Sequence, residues 1–390
     1  MGAGGPARVK EITTLCDLWM GNMTLFAADT SDPEQARLLS ADFSDRLETL
    51  LSTFLAEQHE VISDIAPAAA EIVSAIDDLT RGGKRLRPLF AFWGYLGAGG
   101  DAKAEAIVQA GAAIELFQAA ALIHDDLIDR SDTRRGQPSI HRRFESLHRA
   151  SGWQRDASRF GEAASILAGD LCLSLSEQLF ATISPSVPEA RTIFDRMRAQ
   201  VMAGQYLDVL EESAGPSYGP ADAVKRARTI VRYKSAKYSV ENPTLLGGAL
   251  AGAPAELLEQ YSRFALPLGE AFQLRDDVLG VFGDPAITGK PAGDVLREGK
   301  RTEIIAHALT LASESDQAFI QSRLGADDLQ DGEVTRMSAL LESCGALAAT
   351  ESSIAELSEQ GLSALEELTV GTLARHGLRT LGLAAIRRTS

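Results

Sequence analysis

From about residue 41 the apolar positions recur at intervals of three and four. Phe43, Leu47, Leu50, Leu51, Phe54 and Leu55 form one stripe, the spacing of an amphipathic helix. The same periodicity predicts helices over 103–129, 161–182, 188–213, 221–239, 256–282, 301–324, 333–347 and 350–370. No alternating strand pattern competes with them, and no repeat of fixed period or low-complexity linker interrupts them. Turn-rich breaks fall at Gly97–Gly100, Ser213–Pro220 and Asp284–Gly293, and 145–160 reads as a polar excursion between helices. The expected fold is all-α. Residues 1–35 read as an N-terminal extension and 36–390 as a single domain, with two stacked bundles as the alternative.

Composition supports this pattern. Ala and Leu are abundant, aromatic residues make up only 6%, and β-branched runs are rare, a balance that favours helix. The formal charge of −16 argues against binding nucleic acid or an anionic membrane through bulk electrostatics. Cys16, Cys172 and Cys344 are odd in number and far apart. They suit neither a disulfide framework nor a zinc site, so a reducing cytoplasm is expected. No signal pattern opens the chain and no run approaches 18 apolar residues, so no integral membrane segment is expected.

Four polar constellations carry the candidate chemistry. In His124-Asp125-Asp126-Leu127-Ile128-Asp129, Asp125 and Asp129 stand one helical turn apart, about 6 Å along the axis. Carboxylates that close repel unless a cation bridges them, and hard oxygen ligands suit Mg²⁺ held jointly with phosphates. An acidic run alone is usually a solvated face, but the apolar stretch Ala119–Ile123 before this one places it at the mouth of a buried helix. The chain contains its own comparison: Asp327-Asp328-Leu329-Gln330-Asp331 has the same acid spacing between Gly325 and Gly332. With no basic residues just beyond, it reads as a solvated loop or helix start.

The second constellation is Arg134-Arg135-Gly136-Gln137-Pro138, a loop in which adjacent arginines can face different anions. The third is Gly83-Lys84-Arg85-Leu86-Arg87-Pro88, where Lys84 and Arg87 share a face if helical. The fourth is Phe272-Gln273-Leu274-Arg275-Asp276-Asp277, followed by Asp284, Lys290, Asp294 and Lys300.

Taken in order with Gly204-Gln205-Tyr206-Leu207-Asp208 and Lys234-Ser235, these motifs resemble the trans-prenyl diphosphate synthases from about Gly83 to Thr302. The resemblance implies an isoprenoid-synthase-type bundle around a central cavity, usually a homodimer. It also implies condensation of isopentenyl diphosphate with allylic diphosphates, using two or three Mg²⁺ ions. By motif match, Asp125, Asp129 and Asp276 would be the principal metal ligands, with Asp126 and Asp277 supporting. Arg134, Lys234 and Lys290 would hold the allylic diphosphate, with Lys300 beside them. Lys84, Arg87, Gln118 and Arg135 would hold isopentenyl diphosphate. The carbonyls of Lys234 and Ser235 and the Gln273 side-chain oxygen would stabilise an allylic cation, and Gln205 and Asp208 would be further site residues.

Two departures qualify the match. Gly280 stands where the second acidic motif has its third aspartate, a role Asp284 would share, and Ser235 stands where Thr is common. In farnesyl-making relatives, aromatic residues four and five positions before the first aspartate floor the cavity. Here those positions are Ala121 and Ala120, and the next large residue is Phe117, one turn or about 5.4 Å deeper. That depth predicts geranylgeranyl diphosphate as product, with farnesyl or longer chains as alternatives. A terpene cyclase would lack the Lys84/Arg87/Arg135 set, and an inactive partner subunit would lack the intact acids.

Overall fold

The computed structural model describes residues 31–183, 187–283 and 293–387. Lys290 and Asp284 lie outside the described residues. The Phe43–Leu55 stripe lies on α1 (Ser31–Ser63), which begins five residues ahead of the expected domain start. The stripe buries Phe43, Leu47, Leu51, Phe54 and Leu55. There follow α2 (Glu71–Thr80), α3 (Leu86–Gly97) and α4 (Glu105–Ile128). A two-residue hairpin, β1 (Thr133–Arg134) with β2 (Gln137–Pro138), leads to α5 (Ile140–Ala150), α6 (Ala157–Ile183) and α7 (Pro188–Ala214). α8 (Ala223–Ile230) runs directly into a π-helix (Val231–Glu241), then α9 (Asn242–Leu250) and α10 (Ala255–Phe282). The remaining helices are α11 (Asp294–Glu298), α12 (Glu303–Leu311), α13 (Glu314–Arg323), α14 (Asp331–Ser343), α15 (Ala346–Glu366) and α16 (Thr372–Ile386).

The all-α expectation holds, and the differences have physical causes. α3 and α9 escaped the periodicity because both are buried nearly all round and carry no polar stripe. The supposed polar excursion begins as helix α5, which buries Ile140, His141, Phe144, Glu145 and His148 at helical spacing. Its Glu145 is neutralised by Arg142 and Arg149. The expected helix 301–324 divides at Ser313, whose hydroxyl accepts the Asp316 N–H and caps α13. The hairpin departs from the helical pattern because Arg135 (φ 53°) and Gly136 (φ 73°) both adopt left-handed backbone, as a tight primed turn requires.

α4 packs along α6, α3 along α9, and α5 against α6. The π-helix is packed on α7 and α10. α4 and α6 are long and apolar enough to cross a bilayer by length and composition, but α4 is mostly buried inside the bundle, as a core helix would be. One large apolar core spans α1 to α7, the π-helix, α9, α10 and α16. A smaller core gathers Val281, Leu296, Ile304, Ile320, Met337 and Leu341 under α11–α14. Leu347 packs against this smaller core and also against the Ala271–Leu274–Val278 side of α10.

Helix α7 approaches the π-helix backbone to backbone at Gly204. A Cβ there would lie 2.3 Å from the Lys234 nitrogen and 2.6 Å from the Tyr233 carbonyl carbon. Gly204→Ala is therefore expected to destabilise the protein by about 1–3 kcal/mol. Denaturant titration would read this as a lowered midpoint, and an unchanged midpoint would contradict so close an approach.

Candidate active site

The turn between α4 and the hairpin separates the first acidic cluster into two functions. Asp126, buried, accepts the Arg134 guanidinium: Nε lies 2.9 Å from Oδ1 and 3.1 Å from Oδ2. Asp125 and Asp129 share the other face. Asp125 Oδ1 accepts from Gln205 Nε2 at 3.1 Å and lies 3.3 Å from Lys234 Nζ. Asp129 Oδ1 accepts from Lys300 Nζ at 2.7 Å.

A third carboxylate joins the two lysines. Asp208, buried on α7, accepts Lys234 Nζ at 2.6 Å and Lys300 Nζ at 3.1 Å through the same oxygen. Glu212, one turn further along α7, lies 2.9 Å from Lys300 Nζ. Sequence reasoning missed Glu212, although its spacing of four from Asp208 placed it on that face.

Burial opposes ionisation of Asp125, but Lys234, Lys300 and Arg134 hold its carboxyl below the usual carboxylate range. Burial and the Asp125 charge push Asp129 the other way, against Lys300 and Lys234. Burial also works against the Lys234 charge, and Asp125 and Asp208 overcome it.

The second acidic motif reaches the same place. Asp277, buried on α10, accepts the Gln273 amide nitrogen at 2.8 Å through Oδ1. Its Oδ2 is buried with no hydrogen-bond partner. Burial pushes this carboxyl up to about 7, with Asp276 and Asp208 adding to the shift while Gln273 and Lys234 oppose it. Lys234, which touches Asp125, and its partner Asp208 also act on Asp277, so both motifs lie within electrostatic reach of Lys234. Ser235 follows Lys234 in the π-helix, a rare geometry that concentrates at functional sites. Among the described residues no three acidic, His or Cys side chains could enclose a metal ion by themselves. Mg²⁺ usually takes one or two carboxylates and completes its shell with phosphates and water. The Asp125/Asp129 pair and the unpartnered Asp277 oxygen fit that kind of site.

Gly280 has a packing role. A Cβ there would meet Val295 Cγ2 at 2.3 Å, and its carbonyl accepts the Gly293 N–H at 3.1 Å. A side chain at 280 would require Val295 on α11 to shift.

The basic residues form a second group. Lys84 does not share a helical face with Arg87, because Arg85 is left-handed (φ 48°, ψ 32°) and α3 starts only at Leu86. Arg87 donates from Nη2 to Ser239 Oγ at 2.8 Å and lies 4.5 Å above the Tyr238 ring. The Tyr238 hydroxyl donates to Gln118 Oε1 at 2.5 Å. Arg135 turns away from Arg134: its guanidinium lies beside Gly83, and Nη1 donates to the Leu79 carbonyl at 3.4 Å. Burial lowers the Arg135 pKa; Glu115 opposes the shift, while Arg85, Arg134 and Arg87 add to it. Cations crowded beyond their counter-charges are suited to a polyanion. Along the α4 floor, Ala120 and Phe117 are buried, Ala121 is half-buried, and Phe117 meets Tyr238 edge-on at 5.5 Å.

The comparison cluster behaves as a solvated surface. Asp331 opens α14 with its side chain 97% exposed and pairs with Arg297; Asp328 pairs with Arg323 at 2.9 Å.

This helical fold and its paired acidic motifs define a prenyl transferase of the all-α isoprenoid synthase fold. The chain belongs to the polyprenyl synthetase family, whose model matches residues 69–341. It is 31% identical over 346 residues to a nonaprenyl diphosphate synthase of Mycobacterium tuberculosis, covering 85% of this chain and 92% of that one. It is 30% identical to a farnesyl diphosphate synthase of Mycobacterium bovis, covering 67% of each. Among solved structures, a geranylgeranyl pyrophosphate synthase from Corynebacterium glutamicum complexed with isoprenyl diphosphate and magnesium is 37% identical. Its TM-score is 0.84, covering 89% of this chain and 98% of that one.

Lys300 is carried between α11 and α12, and α12 is anchored by Glu303. Burial opposes ionisation there, but His307, Arg228 and Ser353 hold this fully buried carboxyl down to about 2. A depressed folded-state pKa contributes stability that is present above the unfolded value, near 4.5, and lost as pH falls towards 2. The shift corresponds to about 3 kcal/mol. Stability measured by denaturant between pH 5 and about 2.5 is expected to fall less steeply in Glu303→Gln than in wild type. Parallel pH profiles would contradict the role of this carboxylate.

Proposed function

We propose that this protein condenses isopentenyl diphosphate with allylic diphosphates in a Mg²⁺-dependent reaction, giving geranylgeranyl diphosphate. We further propose that it works as a cytoplasmic homodimer; the exposed Ile166 and Leu167 on α6 support a partner on that face. The single observation that carries the catalytic reading is the position of Lys234, in contact with Asp125 and Asp208 and electrostatically coupled to Asp277.

Mg²⁺, when bound, would neutralise the departing diphosphate. Asp125, Asp129 and Asp276 would hold it, with Asp126 and Asp277 behind them. Lys234, Lys300 and Arg134 bind and orient the allylic diphosphate, and their charges are in place before the C–O bond breaks. The bonding pair leaves with diphosphate. Because Gln273 commits its amide nitrogen to Asp277, its oxygen is left for the allylic cation, beside the Lys234 and Ser235 carbonyls. Lys84, Arg87, Gln118 and Arg135 hold isopentenyl diphosphate so that its double bond attacks the cationic carbon. The proton then lost passes to the departing diphosphate. Phe117, Ala120 and Tyr238 supply an apolar floor that excludes water from the cation.

Incubating the purified chain with isopentenyl diphosphate and each short allylic primer, followed by mass spectrometry, tests this reading. A C20 diphosphate is expected, and EDTA is expected to abolish its formation. A cyclised hydrocarbon from a long allylic diphosphate alone would indicate a cyclase, and inactivity of the isolated chain would indicate a partner subunit.

The products named for the relatives run from farnesyl to nonaprenyl, so product length rests on the floor residues. Ala120→Phe is expected to shift the main product down by one or two isoprene units, each comparable to the ~5.4 Å rise of one helical turn. An unchanged product distribution would remove this ruler.

A further inference from the structure

The run Gly83-Lys84-Arg85-Leu86-Arg87 places three cations together, yet its middle member faces inward. Arg85 is buried; Nη1 donates to Glu115 Oε2 at 2.5 Å and Nη2 to the Thr80 carbonyl at 2.7 Å. Nη2 also pairs with Glu48. Glu48 belongs to α1 and Glu115 to α4, so one guanidinium ties both helices to the turn that carries Lys84 and Arg87. The turn is locally unfavourable: Gly82, Gly83 and Arg85 all have positive φ, and glycine, which has no Cβ, would be the ordinary choice at 85. Retaining an arginine in left-handed backbone needs surroundings that over-determine it, and its bonds to Glu48, Glu115 and Thr80 do so.

The same contacts control charge. Glu115 is the foremost carboxylate acting on Arg135, and Arg85 engages it at hydrogen-bonding distance. An anion approaching Arg87 and Arg135 therefore meets a Glu115 whose charge is already compensated.

We propose that Arg85 is a positioning residue for the isopentenyl diphosphate subsite, shaping the 82–87 turn and shielding the incoming anion from Glu115. This rests on the reading above that Lys84, Arg87 and Arg135 receive that diphosphate.

Steady-state kinetics of the full-length protein test it, varying isopentenyl diphosphate at saturating geranyl diphosphate and then the reverse. Arg85→Met is expected to raise KM for isopentenyl diphosphate about tenfold, with KM for the allylic primer and kcat within about twofold of wild type. Glu48→Gln removes one brace from a half-exposed position and keeps the test open if Arg85→Met does not fold; about a threefold rise in the same KM is expected. Adding Glu115→Gln to Arg85→Met removes the uncovered charge and is expected to recover most of the loss, as is the charge-conserving Arg85→Lys in part.

Lys84→Ala separates the two levels of inference. If it raises KM for isopentenyl diphosphate while the Arg85 and Glu48 variants do not, or if those variants raise both KM values alike, the positioning role is overturned. If Lys84→Ala leaves that KM unchanged, the subsite itself is misassigned and the role of Arg85 falls with it.

Discussion

The Lys234 ammonium, placed between Asp125 and Asp208, is the contact on which the site depends. It lies on a π-helix pressed against α7, within reach of acids from α4 and α7 and within the field of Asp277 on α10. Burying so many charges is a poor way to gain stability: well-packed apolar residues of similar volume often do as well, while removing one partner of a buried pair costs about 3–5 kcal/mol. The network makes sense as preorganisation. Its charges are already fixed where a diphosphate would develop and shed negative charge, so little reorganisation is needed when the bond breaks.

The same pairing implies a coupled site. Lys300 is shared among Asp129, Asp208 and Glu212, and Lys234 between Asp125 and Asp208. A cation entering alone must compete with both lysines for the carboxylates. A diphosphate entering alone must draw the lysines from them. Entering together, the anion takes the lysines and the carboxylates turn to the cation. On the proposed function, metal and diphosphate therefore bind with positive and reciprocal coupling.

Much of this was legible in the sequence where helical geometry alone decides it. Asp125 and Asp129 share a face because four residues make about one turn, and Asp126, rotated away from them, takes the closer contact with Arg134, which also lies 3.7 Å from Asp125. The divergence of Arg134 and Arg135 follows from the turn at Arg135-Gly136, where both residues adopt left-handed backbone. Other features left no local signal. The π-helix at 231–241 continues α8 without a break, so the stretch read as ordinary helix. α3 and α9 bury all faces and showed no stripe. Lys84 and Arg87 were expected on one helical face, but bonds from Arg85 to residues 37 and 30 positions away set the backbone there. Gly280 read as a missing third aspartate, and its close approach to Val295 is a contact between helices that no motif records.

Isothermal calorimetry of Mg²⁺ binding, with and without inorganic pyrophosphate, tests the central claim most directly. The account predicts weak binding of Mg²⁺ to the protein alone and a large gain, on the order of tenfold or more in affinity, once pyrophosphate occupies the lysines. Mg²⁺ affinity that is the same in the presence and absence of pyrophosphate would contradict it.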